Sequence, residues 1–280
     1  MKTFLFPTDF SENATHALDY GYSLAKQVKA NVIICNATTL LAEMPQAGFV
    51  TFPAEVAENL LNDSEKELAR IKCDLQKDEK DTSFNPVITS VNTAATVIGL
   101  TNHLSNYHDI GLVIIGTHGS SGLSTLLLGN HSREMIDEIS RPLLLVPPAA
   151  NIAPIKKIAF ATDFKNPAED LECIYKLIEL ARPLHAEILI TNILTDDQHD
   201  PKSLTDELSN KANYPLIYYR VVKARTPIAG LDWLCEHGHI DILAMVHRSH
   251  NFIDSMFRGS QTQKMAKHIP IPLLVFPSND

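Results

Sequence analysis

The densest chemistry in the chain lies in Gly116-Thr117-His118-Gly119-Ser120-Ser121-Gly122-Leu123-Ser124-Thr125-Leu126-Leu127-Leu128-Gly129-Asn130-His131-Ser132. Glycines at 116, 119, 122 and 129 let backbone N–H groups approach an anion without Cβ obstruction. A helix expected to open near Asn130 adds free N–H groups and the positive end of its dipole. Asn130, His131 and Ser132 can each donate a side-chain hydrogen bond to a phosphate oxygen. Two readings of the stretch stand side by side: an anion cradle, or a Gly-rich turn that closes a sheet. Catalysis finds little support there. Ser120, Ser121, Ser124 and His118 have no Asp or Glu in the loop to orient a base. The G-x-S-x-G elbow and the lysine of G-x-x-x-x-G-K-[ST] are both missing. No Lys or Arg lies between Gly116 and Ser132 to neutralise a γ-phosphate, so any hydrolysis is expected to be slow.

Other constellations are weaker. Among 12 histidines, the best ligand spacing is His237-x-His239-x-Asp241, which lacks a fourth zinc ligand and reads more simply as polar helix-end residues. Cys35, Cys73, Cys173 and Cys235 form no CxxC pair and read as small buried thiols of a reducing compartment. The balance of 24 basic and 33 acidic residues, net −9, excludes the clustered positive charge of a duplex-binding protein. The longest apolar runs, such as Leu112-Val113-Ile114-Ile115, fall far short of the roughly 20 residues that span a bilayer. The opening residues are too short an uncharged run for a signal peptide. The expectation is a soluble, acidic, cytoplasmic protein.

The elements that must position the loop occur twice. Lys2-Thr3-Phe4-Leu5-Phe6-Pro7-Thr8-Asp9-Phe10 returns as Lys156-Lys157-Ile158-Ala159-Phe160-Ala161-Thr162-Asp163-Phe164, an offset of 163 − 9 = 154. Arg141-Pro142-Leu143-Leu144-Leu145-Val146-Pro147 returns as Ile271-Pro272-Leu273-Leu274-Val275-Phe276-Pro277, an offset of 272 − 142 = 130. Prolines at both ends of Pro147–Pro154 disfavour helix or interior strand between the copies. In the first copy, strands are expected at Phe4–Phe6, Asn31–Ala37, Asn85–Ser90, Ile110–Gly116 and Leu143–Val146. Helices are expected from Ser11 to about Val28 and over Ala54–Lys80, Thr93–Asn106 and Asn130–Ile139, with Ser64–Arg70 a solvated, ion-paired face. The second copy repeats the strands near Lys157–Ala161, Glu187–Ile193, Leu216–Val222, Ile240–Val246 and Leu273–Phe276. Continuous apolar strands alternating with helices imply parallel sheets covered on both faces. Two α/β units in tandem are expected, at 1–148 and 155–280, each doubly wound.

The spacing Gly116-x2-Gly119-x9-Gly129, the Thr8-Asp9 that ends the first strand, and the closing Arg-Pro-Leu-Leu-Leu-Val-Pro resemble the universal stress protein family. The likeness is strong in the first unit and weak in the second. It implies, per unit, an adenine nucleotide alpha hydrolase-like fold with five parallel strands in the order 3-2-1-4-5. It also implies an ATP site, often with magnesium or manganese, in the loop after the fourth strand. By position, Gly116, Gly119 and Gly129 would touch phosphates and ribose, with Asn130, His131 and Ser132 beside them. Asp9 would hold ribose or, through water, the metal. Pro7, Thr8 and the backbone at Ala37 would line adenine. Family binders usually have Ser or Thr where this chain has Asn130.

In the second unit the aligned positions hold Val246 for Gly116 and Ser249 for Gly119, while Asp163, Gly259 and Ser260 persist. A branched Cβ would fill space that a phosphate needs. His247, Arg248, His250 and Arg258 are either a lure for a smaller anion or solvated loop charges. The resemblance implies a nucleotide-binding regulatory protein of the stress response; the alternative is a structural or interaction protein whose nucleotide site is lost. Family members pair through their closing strands, so Leu143–Val146 and Leu273–Phe276 are expected to meet antiparallel within one chain, as a pseudo-dimer able to pair again as a homodimer.

Overall fold

The computed structural model describes residues 2–38, 54–77, 84–117, 130–164, 166–194, 211, 213–248 and 270–278, with the backbone alone at 54–56, 130 and 131. The first half holds β1 (Thr3–Pro7), β2 (Asn31–Thr38), β3 (Ile88–Ala94), β4 (Ile110–Gly116) and β5 (Leu143–Val146). Its helices are α1 (Glu12–Val28), α2 (Ala54–Lys77), α3 (Val97–Tyr107) and α4 (Asn130–Glu138). The second half holds β6 (Lys157–Thr162), β7 (Glu187–Leu194), β8 (Ile217–Lys223), β9 (Ile242–His247) and β10 (Leu273–Pro277). Its described helices are α5 (Pro167–Leu184) and α6 (Pro227–His237).

All ten strands join one sheet in the order β3-β2-β1-β4-β5-β10-β9-β6-β7-β8. Each half therefore runs 3-2-1-4-5, all parallel. The two halves meet where β5 and β10 pair antiparallel, Leu143 to Val275, Leu144 to Leu274 and Leu145 to Leu273. The junction satisfies two edges that would otherwise offer bare N–H and C=O groups to another chain. The register repeats as well: Leu5 lies beside Val113 and Ala159 beside Leu243, while Gly116 pairs with Val146 and Val246 with Phe276.

Strand alternation sends side chains to two cores, one on each face of the sheet. Phe4, Phe6, Ile114, Leu24 and Leu177 fill the face that carries α1 and α5. Leu5, Val113, Leu100, Met135 and Leu234 fill the face that carries α3, α4 and α6. Helix α1 starts because Ser11 accepts a hydrogen bond from Ala14 N at 3.2 Å. It stops at Lys29, whose left-handed backbone (φ 58°) returns its N–H to the last carbonyls. Helix α5 ends the same way at His185, φ 52°, an offset of 185 − 29 = 156. Close contact with the sheet requires Gly21, since a Cβ there would stand 2.3 Å from Phe6 Cε1 and 2.7 Å from Ile114 Cδ1.

Several expectations shift. Helix α3 starts at Val97 rather than Thr93, because Thr96 caps it by accepting from Gly99 N and β3 runs on through Ala94. Strand β3 starts three residues later than expected, at Ile88. Val87, just ahead of the strand, is 65% exposed, and only Ile88 of the strand is buried. Asn92 then ties the strand to α2 by donating to Leu61 O at 2.6 Å. The cysteines are not uniformly buried: Cys35 and Cys173 are, whereas Cys73 is exposed and Cys235 half-buried. Burial pushes the Cys35, Cys173 and Cys235 thiols up to about 12, so they stay protonated and inert at neutral pH. The charged face of α2 is ion-paired, though at i,i+3 rather than the i,i+4 spacing expected: Lys66 with Asp63 and Arg70 with Glu67 at 2.8 and 2.7 Å.

Candidate functional site

Strand order makes the carboxyl ends of β1 and β4 neighbours whose connections leave in opposite directions, toward β2 and toward β5. Open α/β sheets place their ligand crevice at such a reversal. At the end of β1 the chain turns sharply through Thr8-Asp9-Phe10. Thr8 N donates to Cys35 O at 2.9 Å and Asn36 Nδ2 donates to Thr8 O at 2.8 Å. Phe10 sits at φ 63°, a conformation that costs a non-glycine residue of order 1–3 kcal/mol. The Thr8 hydroxyl offsets part of that by accepting from Phe10 N at 3.0 Å, and the Phe10 ring packs on the core. The turn leaves the Asp9 carboxylate exposed, with Oδ1 accepting from Ser11 N at 3.0 Å. The same turn recurs at Phe164, φ 54°, with Phe164 N donating to Thr162 Oγ1 at 2.9 Å.

The residues singled out in the sequence occupy the following places. Pro7 lies beside Cys35 on β2, Thr8 is buried, and Ala37, next to last in β2, lies beside Thr93, half-buried. Ser132, in the first turn of α4, is 4% exposed, and Asn130 and His131 open that helix. Gly116 has a reason unlike the one its sequence context suggested. A Cβ there would lie 2.3 Å from Asn13 O and 2.6 Å from Asn13 C, so the first turn of α1, rather than an anion, occupies the space that the missing side chain leaves. Gly119, Gly122 and Gly129 lie outside the described residues, as do the side chains of Asn130 and His131.

The corresponding crevice of the second half is filled by Arg248. Its Nε donates to Glu169 Oε2 at 2.7 Å and its Nη2 to Asp170 Oδ1 at 2.6 Å, with Asp163 Oδ1 3.8 Å from Nη1. Thr162 Oγ1 donates to Asp170 Oδ2 at 2.7 Å, and Ser278 Oγ to Glu169 Oε1 at 2.7 Å. The side chains of Arg248, Glu169 and Asp170 are 11%, 7% and 0% exposed. Burial pushes the Asp170 carboxyl up, against the hydrogen bonds from Thr162 and Arg248 that hold it down. Burial also opposes the Arg248 charge, but its bonds to Glu169 and Asp170 outweigh that, so the guanidinium pKa is raised.

Arg248 is therefore neither an anion lure nor a solvated loop charge. Among the described residues, this one guanidinium bridges the carboxylates of Glu169 and Asp170 and lies near that of Asp163, so its charge is already engaged within the protein. The obstacle expected in the second half is steric, through Val246 and Ser249. Val246 is indeed a buried side chain, but the Arg248 side chain, held by Glu169 and Asp170, is a second obstacle beside it. Restoring glycines at 246 and 249 would leave that obstacle in place. Ser249, His250, Arg258, Gly259 and Ser260 lie outside the described residues. His247 points elsewhere, its Nε2 3.0 Å from Asp137 Oδ1 of α4.

Sequence reasoning missed Glu169 and Asp170. The available signal was the acidic Pro-Ala-Glu-Asp start of α5, where α1, aligned through the left-handed ends of the two helices, carries Asn13-Ala14. The His237-x-His239-x-Asp241 spacing also resolves into structural contacts. Asp241 Oδ2 accepts from Lys156 N and Lys157 N at 2.7 and 2.8 Å, and His237 stacks on Trp233.

Residues 1–147 match the family model described as the universal stress protein family. The chain belongs to that family. A universal stress protein of Methanocaldococcus jannaschii is 26% identical over 159 residues, 52% of this chain and 94% of that protein. A solved universal stress protein from Archaeoglobus fulgidus superposes over 98% of both chains at TM-score 0.74 and 15% identity. Its likeness establishes the whole ten-stranded arrangement as a known fold. Another solved universal stress protein, in complex with cAMP, is 17% identical over 45% of this chain and all of its own, at TM-score 0.36. No helix among the described residues is long and apolar enough to cross a membrane.

Proposed function

We propose that this chain is two tandem universal stress protein units, 1–148 and 155–280, that bind one ATP in the first unit and report its presence as a regulatory protein of the stress response. The observation that supports this most is the placement of Asp9 and Gly116 at the β1/β4 reversal. From there the glycine-spaced stretch runs to α4, whose N-terminus suits an anion. The described residues fit such a ligand. Asp9 is exposed at the crevice, within reach of a ribose hydroxyl or a magnesium or manganese ion, and Pro7, Thr8 and Ala37 offer a flat, half-apolar edge for adenine. Gly119, Gly129, Asn130, His131 and Ser132 would face the phosphates. The protein would act in the cytoplasm, where protonated, unpaired thiols persist.

A second reading, a scaffold that has lost nucleotide binding altogether, is favoured by one observation: packing against α1 accounts for Gly116 without any ligand. Acid extraction of freshly purified protein, followed by chromatography of the released nucleotide, separates the two. The proposal expects adenine nucleotide near one per chain or below, and hydrolysis of added ATP slower than roughly 1 s⁻¹. Turnover at tens per second, lost on Asp9→Ala, would instead make the protein an enzyme.

A further inference from the structure

At the opposite end of β1 from Asp9, a cavity of about 390 Å³ opens between the two halves. This is within the range of small-ligand pockets. The first half supplies the start of β1, the start of β4 and the end of α1; the second supplies one side of α5 and the end of β10. Its apolar floor includes Phe4, Leu112 and Phe276, all buried. Its rim carries Lys2, Lys29, Arg141 and Lys176 against Asp109 and Glu179, a net of +2 inside a chain of net −9. A concave site with an excess of one charge sign, walled by apolar side chains, concentrates ligands of the opposite sign.

The charges are arranged, not merely present. Lys2 pairs with Glu179 across the two halves, and its stem lies where Gly111 has no side chain, since a Cβ there would be 2.8 Å from Lys2 Cδ. Arg141 Nη2 donates to Ser105 O at 2.9 Å, which fixes the guanidinium without neutralising it. Lys29 and Lys176 have no carboxylate partner among the described residues.

We propose that this cavity is a second ligand site, for a small amphiphilic organic anion: a compact aromatic or branched apolar body bearing one carboxylate, sulfonate or phosphate group. The body lies on the apolar floor, and the anion is held by Lys29 of the first half and Lys176 of the second. The proposal is independent of whether the first half binds ATP.

Fluorescence titration of the full chain with 8-anilinonaphthalene-1-sulfonate tests it, beside the neutral N-phenyl-1-naphthylamine. One equivalent of the sulfonate is expected to bind, at least tenfold more tightly than the neutral compound. The double variant Lys29→Glu with Lys176→Glu is expected to weaken sulfonate binding at least tenfold and to leave the neutral compound unaffected. Both residues are exposed, so the variant should fold, as a far-UV spectrum would confirm. Absent binding, several equivalents per chain, equal affinity for the two compounds, or unchanged affinity in the variant would each overturn the proposal.

Discussion

At Arg248 a largely enclosed guanidinium, 11% exposed, is held by two buried carboxylates, Glu169 and Asp170. Removing one partner of such a group leaves uncompensated charge, a loss of about 3–5 kcal/mol. Arg248→Ala should show that loss in urea unfolding near pH 7. The loss should be smaller near pH 5, for a reason that lies in Asp170. Burial raises its folded-state pKa above the ordinary 3.8, so the folded protein binds that proton more readily than the unfolded chain does. Its contribution favours folding below 3.8 and is lost as pH rises through the folded value. Without Arg248 the folded value climbs further and the window widens upward, so acid recovers stability in the variant. An equal loss at both pH values would show that Asp170 is not the group left exposed to this penalty. None of this was legible in the sequence. Arg248 is 79 and 78 residues from its partners, and acids in the first turn of a helix have an ordinary explanation in its dipole.

Helix α1 connects the candidate crevice at its start to the interface cavity at its end, and its seat on the sheet depends on residues without bulk. In an exposed helix Gly21→Ala would gain about 1 kcal/mol. Here the added methyl meets Phe6 and Ile114 closer than 3 Å, and overpacking costs about 1–3 kcal/mol. Packing should win, and the thermal midpoint of Gly21→Ala should fall; a rise would mean that the ring of Phe6 yields freely. Helices and central strands were readable because caps and apolar runs are local signals, as Ser11 and Ile110–Gly116 illustrate. The start of β3 was not, because that outer strand buries only Ile88 and so carries little apolar signal. Gly116 was visible as a glycine but not as the neighbour of Asn13, a contact between residues about a hundred positions apart.

Across the whole molecule, the antiparallel junction of β5 and β10 turns two half-sheets into one. It was foreseeable because the family resemblance implies pairing through closing strands, and the chain carries two such Pro-led runs. Separately expressed segments 1–148 and 155–280 should therefore self-associate or bind each other; two segments that stay monomeric at high concentration would contradict a role for the junction in edge protection. The same layout sets a difference between the halves, with an exposed Asp9 at one crevice and an arginine-filled carboxylate cluster at the other. The central claim is that nucleotide binds only at the first. Calorimetric titration of the full chain with ATP and magnesium tests it most directly, in the natural sequence and in Gly119→Val, where a branched side chain would obstruct the phosphate loop. The account predicts a stoichiometry near one that Gly119→Val abolishes; a stoichiometry near two, binding that survives the substitution, or no binding at all would contradict it.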